Sequence, residues 1–191
     1  MFSSTVAQLE FASSPYDLAL FTRHIATGIT ILLLYVDDMI IMGNDTSDIH
    51  ELKQFLCQQF EMKYLGSLSY FLGLEVSPTS DGNYLTQAKY SSNLLTRASL
   101  TNCKITDSSL GPNIKLHPTD GELLPDATHY RQLVGSLIYL TITRPYIAYA
   151  VHLVSQFMST PHFVHYAAVL RILQYVKGTL FHGLFFPLTH P

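Results

Sequence analysis

Residues 31–42 read ILLLYVDDMIIM, two apolar runs with two adjacent aspartates between them. Each run has the length of a buried strand, and two short apolar runs joined by a polar step predict a tight hairpin with both carboxylates at its tip. Aspartates within so apolar a stretch repel each other and are seldom buried without a partner. A divalent cation held by carboxylate oxygens would offset the repulsion. A solvated turn is the alternative that the spacing leaves open.

The predicted turn lacks the residues that ordinary hairpins use. Two-residue hairpin turns favour Asn-Gly or Asp-Gly because the backbone must adopt a positive φ. The step Val36-Asp37-Asp38 contains no glycine. This composition is not that of an ordinary hairpin turn, and from the spacing alone a metal site and a solvated turn stay equal alternatives.

The composition is that of an ordered globular protein. The 191 residues, 48% of them hydrophobic, are enough for one domain or two small ones. No apolar run is long enough to span a bilayer, because Asp37 and Asp38 interrupt the longest one, so we expect no membrane contact. The first residues lack the basic start and apolar centre of a secretory signal, which favours an intracellular protein. Cys57 and Cys103 have no ligand-like spacing and are predicted to be buried or inert thiols.

The charge is unevenly distributed along the chain. Residues 1–87 carry three basic and ten acidic side chains, a net −7, and residues 88–191 carry eight basic and four acidic side chains, a net +4. These values add to the −3 of the whole chain. An acidic half suits metal binding and a basic half suits a phosphate backbone, although chance unevenness is an alternative at this length.

Hydrophobic periodicity beyond the hairpin predicts an α+β protein. An alternating strand over residues 70–76 is expected to pair with residues 84–86 in a second hairpin. Residues 101–128, rich in Pro, Gly, Asp and Ser, predict an irregular crossing segment. The last strand, 181–186, has no partner left in the chain. The predicted helices are a short N-terminal one capped by Ser3, one capped by Thr46 or Ser47 that ends near residue 60, one over 87–100, and three over 129–141, 147–157 and 163–176.

Several motifs together carry a family resemblance. YVDD at residues 35–38 is similar to the Tyr-x-Asp-Asp signature of reverse transcriptases, and LLLYVDDMIIMG at 32–43 resembles the version in copia-type retrotransposons. YFLGLEV at 70–76 and YRQLVGSLIYL at 130–140 resemble further motifs of that family, in the same order. The remaining matching motifs are FEMK at 60–63, TRP at 143–145 and LQYVKGT at 173–179. The resemblance covers residues from about 2 to 186.

The resemblance implies both a fold and an activity. Residues 1–87 would form a partial reverse-transcriptase palm, an antiparallel sheet with covering helices that contains the Tyr-Val-Asp-Asp hairpin and a primer-grip hairpin. Residues 88–186 would form a mostly helical thumb and connection region, followed by a tail at 187–191. The activity implied is that of an RNA-directed DNA polymerase, which uses an RNA or DNA template, a primer, deoxynucleotides and two Mg²⁺ ions.

Site residues follow from the same resemblance. Asp37 would be a ligand of the catalytic Mg²⁺ pair, and Asp38 the supporting carboxylate beside it. Lys63 would lie near the incoming triphosphate, with a solvated lysine as the alternative. The predicted nucleic-acid contacts are Tyr35, Tyr70, Phe71, Leu72, Gly73, Lys89, Arg97, Arg131 and Arg144, with Arg171 and Lys177 as further candidate phosphate contacts. Packing roles for the aromatic residues and solvated charge for the bases are the alternatives.

The sequence also departs from the family pattern. Tyr64 and Tyr146 stand where members commonly carry aspartate, so a helix cap or a charge pair is lost at each. Reverse transcriptases take a further metal-binding aspartate from an upstream strand, and neither Glu10 nor Asp17 has that setting. Fingers and a ribonuclease H domain are also missing from these residues.

These departures predict an inactive isolated chain, a fragment of a retrotransposon polyprotein. Two alternatives stay open. The chain could be a non-catalytic nucleic-acid-binding module, or a remnant open reading frame without present function. A sheet edge left exposed by missing strands predicts self-association.

Overall fold

The computed structural model describes residues 2–26, 28–112 and 114–188. These residues form six α-helices and eight strands in two four-stranded sheets, which confirms the predicted α+β class. Contacts divide the chain into two compact units, Met1–Leu68 and Ser69–Pro191, and each is described by itself. The division into a partial palm over residues 1–87 and a thumb and connection region over residues 88–186 stays a prediction. The description does not include Thr27 or the last three residues of the predicted tail. It also leaves out the side chain of Ser3, the predicted N-cap of the first helix.

The first unit is an antiparallel sheet with a long helix packed on it. Its elements are α1 (Phe2–Ala7), β1 (Ala12–Ser13), β2 (Leu20–Ile25), β3 (Gly28–Tyr35), β4 (Asp38–Gly43) and α2 (Thr46–Gln59). The strands run in the order β1-β2-β3-β4, and the core joins Phe21 and Leu32 of the sheet to Leu52 and Leu56 of α2. β1 and β4 are the edge strands of this sheet. Self-association through an exposed edge stays a prediction.

A buried polar cluster connects α2 to this sheet. The N-cap of α2 is Asp45, not Thr46 or Ser47 as predicted, because its side chain accepts hydrogen bonds from two backbone N–H groups of the first turn. In that turn Asp48 is buried, and its carboxylate accepts hydrogen bonds from the Arg23 guanidinium of β2 and the Thr30 hydroxyl of β3. The ion pair and the hydroxyl therefore fix the helix on the strands.

The second unit combines the other sheet with a helical bundle. Its elements are β5 (Tyr70–Phe71), β6 (Leu74–Pro78), β7 (Gly82–Thr86), α3 (Ala88–Arg97), α4 (Ala127–Leu140), a 3₁₀ turn (Pro145–Ile147), α5 (Ala148–Ser155), α6 (Phe163–Gly178) and β8 (Gly183–Pro187). The strands run in the order β5-β6-β7-β8, and each neighbouring pair is antiparallel. The three C-terminal helices lie where their periodicity predicted them.

The prediction of one continuous strand over residues 70–76 is wrong. β5 turns back at Leu72-Gly73, and Phe71 then pairs with Leu74 of β6. Leu72 and Gly73 have φ values of 51° and 83°, the positive angles that a two-residue type I′ hairpin turn needs. Leucine gives no sequence signal for such a turn, and the alternation of side chains continues through it.

The prediction that the last strand lacks a partner is also wrong. β8 pairs with β7 from Gly82↔Pro187 to Thr86↔Gly183, although four helices separate the two strands in the sequence. The rings of Tyr84 and Phe185 pack on one face of this pair, with centroids 4.6 Å apart. Because this pairing joins strands that are distant in the sequence, no turn residues predict it.

The bundle core is formed by apolar faces of α3, α4, α5 and α6. Its fully buried members include Leu94, Leu133, Leu137, Val154, Val169, Ile172 and Leu173. Within the core the Tyr130 hydroxyl donates a hydrogen bond to the Val154 carbonyl over 2.7 Å, and burial raises the pKa of Tyr130 above its ordinary value. No helix in the described ranges has the length and apolar character needed to cross a membrane.

The predicted crossing segment is confirmed as irregular, since the described residues between 101 and 126 form no helix or strand. Two bases hold it to α6. Lys177 donates to the Cys103 carbonyl over 2.6 Å, and Arg171 donates to the Ser108 hydroxyl over 2.9 Å. Cys103 is half-buried, whereas Cys57 is exposed on α2, and neither forms a disulfide.

Candidate functional site

The hairpin predicted from residues 31–42 is present. β3 and β4 pair from Thr30↔Gly43 to Tyr35↔Asp38, so Val36 and Asp37 form the two-residue turn. Val36 has a φ of 52°, a value that a β-branched residue adopts only under strain of about 1–3 kcal/mol. Val36 therefore adopts the positive φ that a glycine would adopt without strain.

Both aspartates lie in solvent. Asp37 and Asp38 are exposed, as are Tyr35 and Val36, although Asp38 is the first residue of β4. The argument that burial forces a compensating cation is therefore wrong for this hairpin, because exposed carboxylates are solvated. The two adjacent side chains remain free to offer oxygen ligands to a hard divalent cation.

The described part of the chain holds an incomplete donor set for Mg²⁺. Across residues 2–26, 28–112 and 114–188, no three His, Cys, Asp or Glu side chains gather where they could hold one metal ion. Two carboxylates have the right chemistry for Mg²⁺, but a two-metal site needs more ligands than the hairpin provides. The described residues therefore offer Mg²⁺ these two carboxylates and no third ligand close to them.

Lys63 lies in an exposed, irregular stretch that follows α2. Its neighbour Tyr64, at a position where the family commonly has aspartate, is 63% exposed. The Lys53 ammonium of α2 lies 4.3 Å from the centroid of the Tyr64 ring, a cation–π contact. The Tyr64 ring thus contacts α2 through this cation–π interaction.

The structure brings together two of the predicted nucleic-acid contacts. The Lys89 ammonium at the start of α3 lies 5.8 Å from the centroid of the exposed Tyr70 ring. The Glu75 carboxylate of β6 accepts a hydrogen bond from the Lys89 backbone N–H over 3.0 Å. Leu72 and Gly73 form the adjacent turn. The Tyr139 hydroxyl donates a hydrogen bond to the Leu72 carbonyl and so stabilises this turn. Tyr70 and Lys89 therefore present an aromatic face and a cation side by side.

The predicted arginines occupy different surroundings. Arg97 is exposed and donates to the Ser136 hydroxyl over 2.8 Å, and exposed Arg131 donates to the Met158 carbonyl over 2.9 Å. Arg171 and Lys177 are half-buried and hold the crossing segment. The first two bases are accessible to a phosphate backbone, and the last two serve the fold.

Arg144 is fully buried, so its position does not support the predicted phosphate contact. Its guanidinium donates to the Thr179 carbonyl over 2.6 Å, to the Leu180 carbonyl over 2.7 Å and to the Ser91 hydroxyl over 3.1 Å. Burial lowers the pKa of Arg144 below its ordinary value. The side chain joins α3 to the end of α6, and sequence alone could not distinguish this role from a surface contact.

Two histidines at the start of α6, the half-buried His162 and the buried His165, were not predicted from the sequence. His165 is fully buried, accepts a hydrogen bond from the His162 backbone N–H over 3.0 Å and lies 3.0 Å from the His117 carbonyl oxygen. Its ring stacks on Phe157 with centroids 3.8 Å apart. His165 shares the apolar face of α6 with Ala168, Val169 and Ile172, and that periodicity was the signal that could have revealed it.

Comparison with known families agrees with the hairpin motif. The sequence model of the family described as reverse transcriptase (RNA-dependent DNA polymerase) matches residues 1–110, more than half of the chain. The chain therefore belongs to the reverse transcriptase family.

Its relatives are of the copia type, as the motifs predicted. The retrovirus-related Pol polyproteins from transposons RE1 and RE2 of Arabidopsis thaliana are 41% identical over 175 residues and 40% identical over 177 residues. Each match covers 92% of this chain and 12% of the polyprotein. An uncharacterized mitochondrial protein of the same plant is 39% identical over 154 residues, which cover 81% of this chain and 64% of that protein. No solved structure matches the chain.

Proposed function

We propose that this chain provides part of the palm, the primer grip and the thumb and connection region of a copia-type reverse transcriptase. The observation that carries the proposal is the exposed pair Asp37 and Asp38 at the hairpin tip, in a chain whose first 110 residues match that family. In the whole enzyme, Mg²⁺ held by these carboxylates would activate the primer hydroxyl and stabilise the pyrophosphate leaving group. Lys63 would contribute positive charge near the triphosphate.

The 191 residues alone do not catalyse DNA synthesis under this proposal. Asp37 and Asp38 supply two carboxylates, and the described residues add no third acidic group close to them. A two-metal site therefore requires a further carboxylate from outside this sequence. The fingers that hold the triphosphate in the parent enzyme would also come from outside it.

Nucleic-acid binding without catalysis is the second candidate function. Tyr70 beside Lys89 offers a stacking face and a cation, and Arg97 and Arg131 are exposed in the same unit. Aromatic faces and scattered bases of this kind bind nucleic acid in a salt-sensitive manner. This binding is also what the primer grip and thumb would contribute to the complete polymerase.

One experiment tests both statements. The purified chain is mixed with a labelled primer–template duplex, Mg²⁺ and deoxynucleotides, and anisotropy and primer extension are measured at several salt concentrations. We expect binding that weakens as salt increases, with no extension. Extension that disappears in an Asp37→Asn variant would contradict the incomplete site, and absence of binding at low salt would contradict the nucleic-acid role.

A further inference from the structure

Two clefts of the second unit meet at His129. One has a volume of about 250 Å³ and is lined by Arg97, His129, Gln132 and Leu133. The other has a volume of about 330 Å³ and is lined by His129, Phe163, Tyr166 and residues 124–126. His129 lines both, so the two clefts are adjacent. Neither includes a residue that the family resemblance places in the catalytic hairpin.

The first cleft is built to receive an anion. Arg97 ends α3 and is exposed, and its one hydrogen bond within the described ranges goes to the Ser136 hydroxyl of α4. That bond orients the guanidinium while the other N–H groups stay available. The amide of Gln132 and the ring of His129 add hydrogen-bond donors on α4. A guanidinium with such neighbours suits the planar, multidentate binding of a phosphate group.

The second cleft is apolar and aromatic. Phe163, the first residue of α6, is 48% exposed, and its backbone is fixed by a hydrogen bond from its N–H to the Glu122 carbonyl over 3.0 Å. The Tyr166 ring lies on the same helix, 6.1 Å from the His129 ring. An exposed aromatic ring on a fixed backbone is the usual platform for a stacked nucleobase.

Asp126 carries the one carboxylate among the residues that line the apolar cleft. Asp126 is the N-cap of α4, and its side chain accepts hydrogen bonds from the backbone N–H groups of Thr128 and His129. Its charge is therefore stabilised by the amino-terminal end of the helix dipole. The ligand's anionic group would bind in the other cleft, on the far side of His129.

We propose that these adjacent clefts bind one nucleotide, with the base on Phe163 and Tyr166 and the phosphate on Arg97. The pairing of an aromatic face with a guanidinium, separated by one histidine ring, matches the two chemically distinct ends of a nucleotide. The choice of ligand rests on the proposed nucleic-acid role. The residues of this site all belong to the second unit, whereas the hairpin carboxylates belong to the first.

Titration calorimetry of the full chain with adenosine 5′-monophosphate tests this site. Phe163→Ala and Arg97→Gln should each weaken binding by about tenfold, the loss expected for one stacked base or one phosphate contact. Tyr149→Ala and Lys115→Gln are matched controls, an exposed aromatic residue and an exposed base outside both clefts, and should leave binding unchanged. An eight-residue single-stranded oligo(dA) forms a second arm.

The outcomes are distinct from those of primer extension, since the readout depends on Phe163 and not on Asp37. Tighter binding of oligo(dA) than of the monophosphate, with the same variant effects, would support a strand as the source of the nucleotide, and equal binding would support a free nucleotide. Three results would overturn the inference: no binding of either probe, binding unaffected by Phe163→Ala, or inorganic phosphate binding as tightly as the monophosphate.

Discussion

Polar side chains are exposed to solvent at the hairpin tip of the first unit, whereas several are buried in the helical bundle of the second. At the tip, Asp37 and Asp38 lie in solvent beside a strained Val36. In the bundle, Arg144 and His165 are fully buried and hydrogen-bonded to backbone carbonyls or hydroxyls. The bundle therefore uses polar groups to fix its structure, whereas the hairpin leaves the carboxylates of Asp37 and Asp38 exposed to solvent.

This difference distinguishes residues to which the family resemblance had assigned similar ligand-binding roles. Both Asp37 and Arg144 lie in motifs of the copia-type family, and both were predicted to contact substrate or metal. Burial and hydrogen bonding distinguish them: Arg144 is buried and both of its terminal nitrogens donate to groups of its own chain, so little of the side chain is left for a ligand. Substitutions should accordingly alter stability in the bundle and ligand binding at the hairpin.

The largest effect is expected for Arg144→Ala. Its removal deletes the hydrogen bonds to the carbonyls of Thr179 and Leu180 and to the Ser91 hydroxyl and leaves a cavity where the buried side chain packed, which should lower the free energy of unfolding by about 3–5 kcal/mol. Urea denaturation followed by circular dichroism measures the change. Arg131→Ala, an exposed arginine, should stay within about 0.5 kcal/mol of the parent. An Arg144 variant as stable as the parent would show that this residue has no structural role.

A smaller effect is expected from acid, acting through His165. Burial lowers the pKa of His165 below its ordinary value of 6.5, and a hydrogen bond to the His117 carbonyl opposes this shift. The groups that face it are His162, His117 and Asp120. Between the lowered pKa and about 6.5 the unfolded chain binds more protons than the folded chain. The stabilisation is therefore complete above about pH 6.5 and is lost as the pH falls, by up to about 1.4 kcal/mol per pH unit.

The measurement is the free energy of unfolding between pH 7 and pH 5 for the parent and for His165→Gln. The pH slope should be smaller in the variant. His50→Gln, at an exposed position on α2, should keep the slope of the parent. Equal slopes for the parent and His165→Gln would remove His165 as the origin of the acid sensitivity.

The smallest effect is expected at the hairpin turn, for Val36→Gly. Relief of the positive φ should stabilise by about 1–2 kcal/mol, and the added freedom of glycine in the unfolded chain offsets about 0.5–1 kcal/mol of it. A net stabilisation of about 0.5–1 kcal/mol should appear in urea denaturation. Asp37→Gly, at the turn position without a positive φ, should not stabilise. Destabilisation by Val36→Gly would mean that the turn is not strained.

Local patterns predicted more of the fold than non-local contacts did. The apolar runs around Asp37 and Asp38 defined the hairpin, and helical periodicity located the three C-terminal helices. The break at Leu72 was missed because leucine seldom adopts a positive φ. The pairing of β8 with β7 and the burial of Arg144 were missed because both depend on partners distant in the sequence.

The candidate site was predictable in part for the same reason. YVDD stands out locally as two acids between apolar strands, so the sequence alone located the carboxylates. Their exposure was not predictable, because apolar neighbours in sequence do not say where the strands end in space. The Arg23–Asp48 pair was missed because it joins β2 to α2 across the core.

The central claim is that Asp37 and Asp38 are free metal ligands and not part of the structural core. Paramagnetic Mn²⁺, used in place of Mg²⁺, tests it in nuclear magnetic resonance spectra of the full chain. We expect dilute Mn²⁺ to broaden the amide signals of residues 35–38 selectively. The double variant Asp37→Asn, Asp38→Asn should abolish that broadening and change the free energy of unfolding by no more than about 0.5 kcal/mol. Broadening that persists in the double variant, or a variant that no longer folds, would contradict the claim.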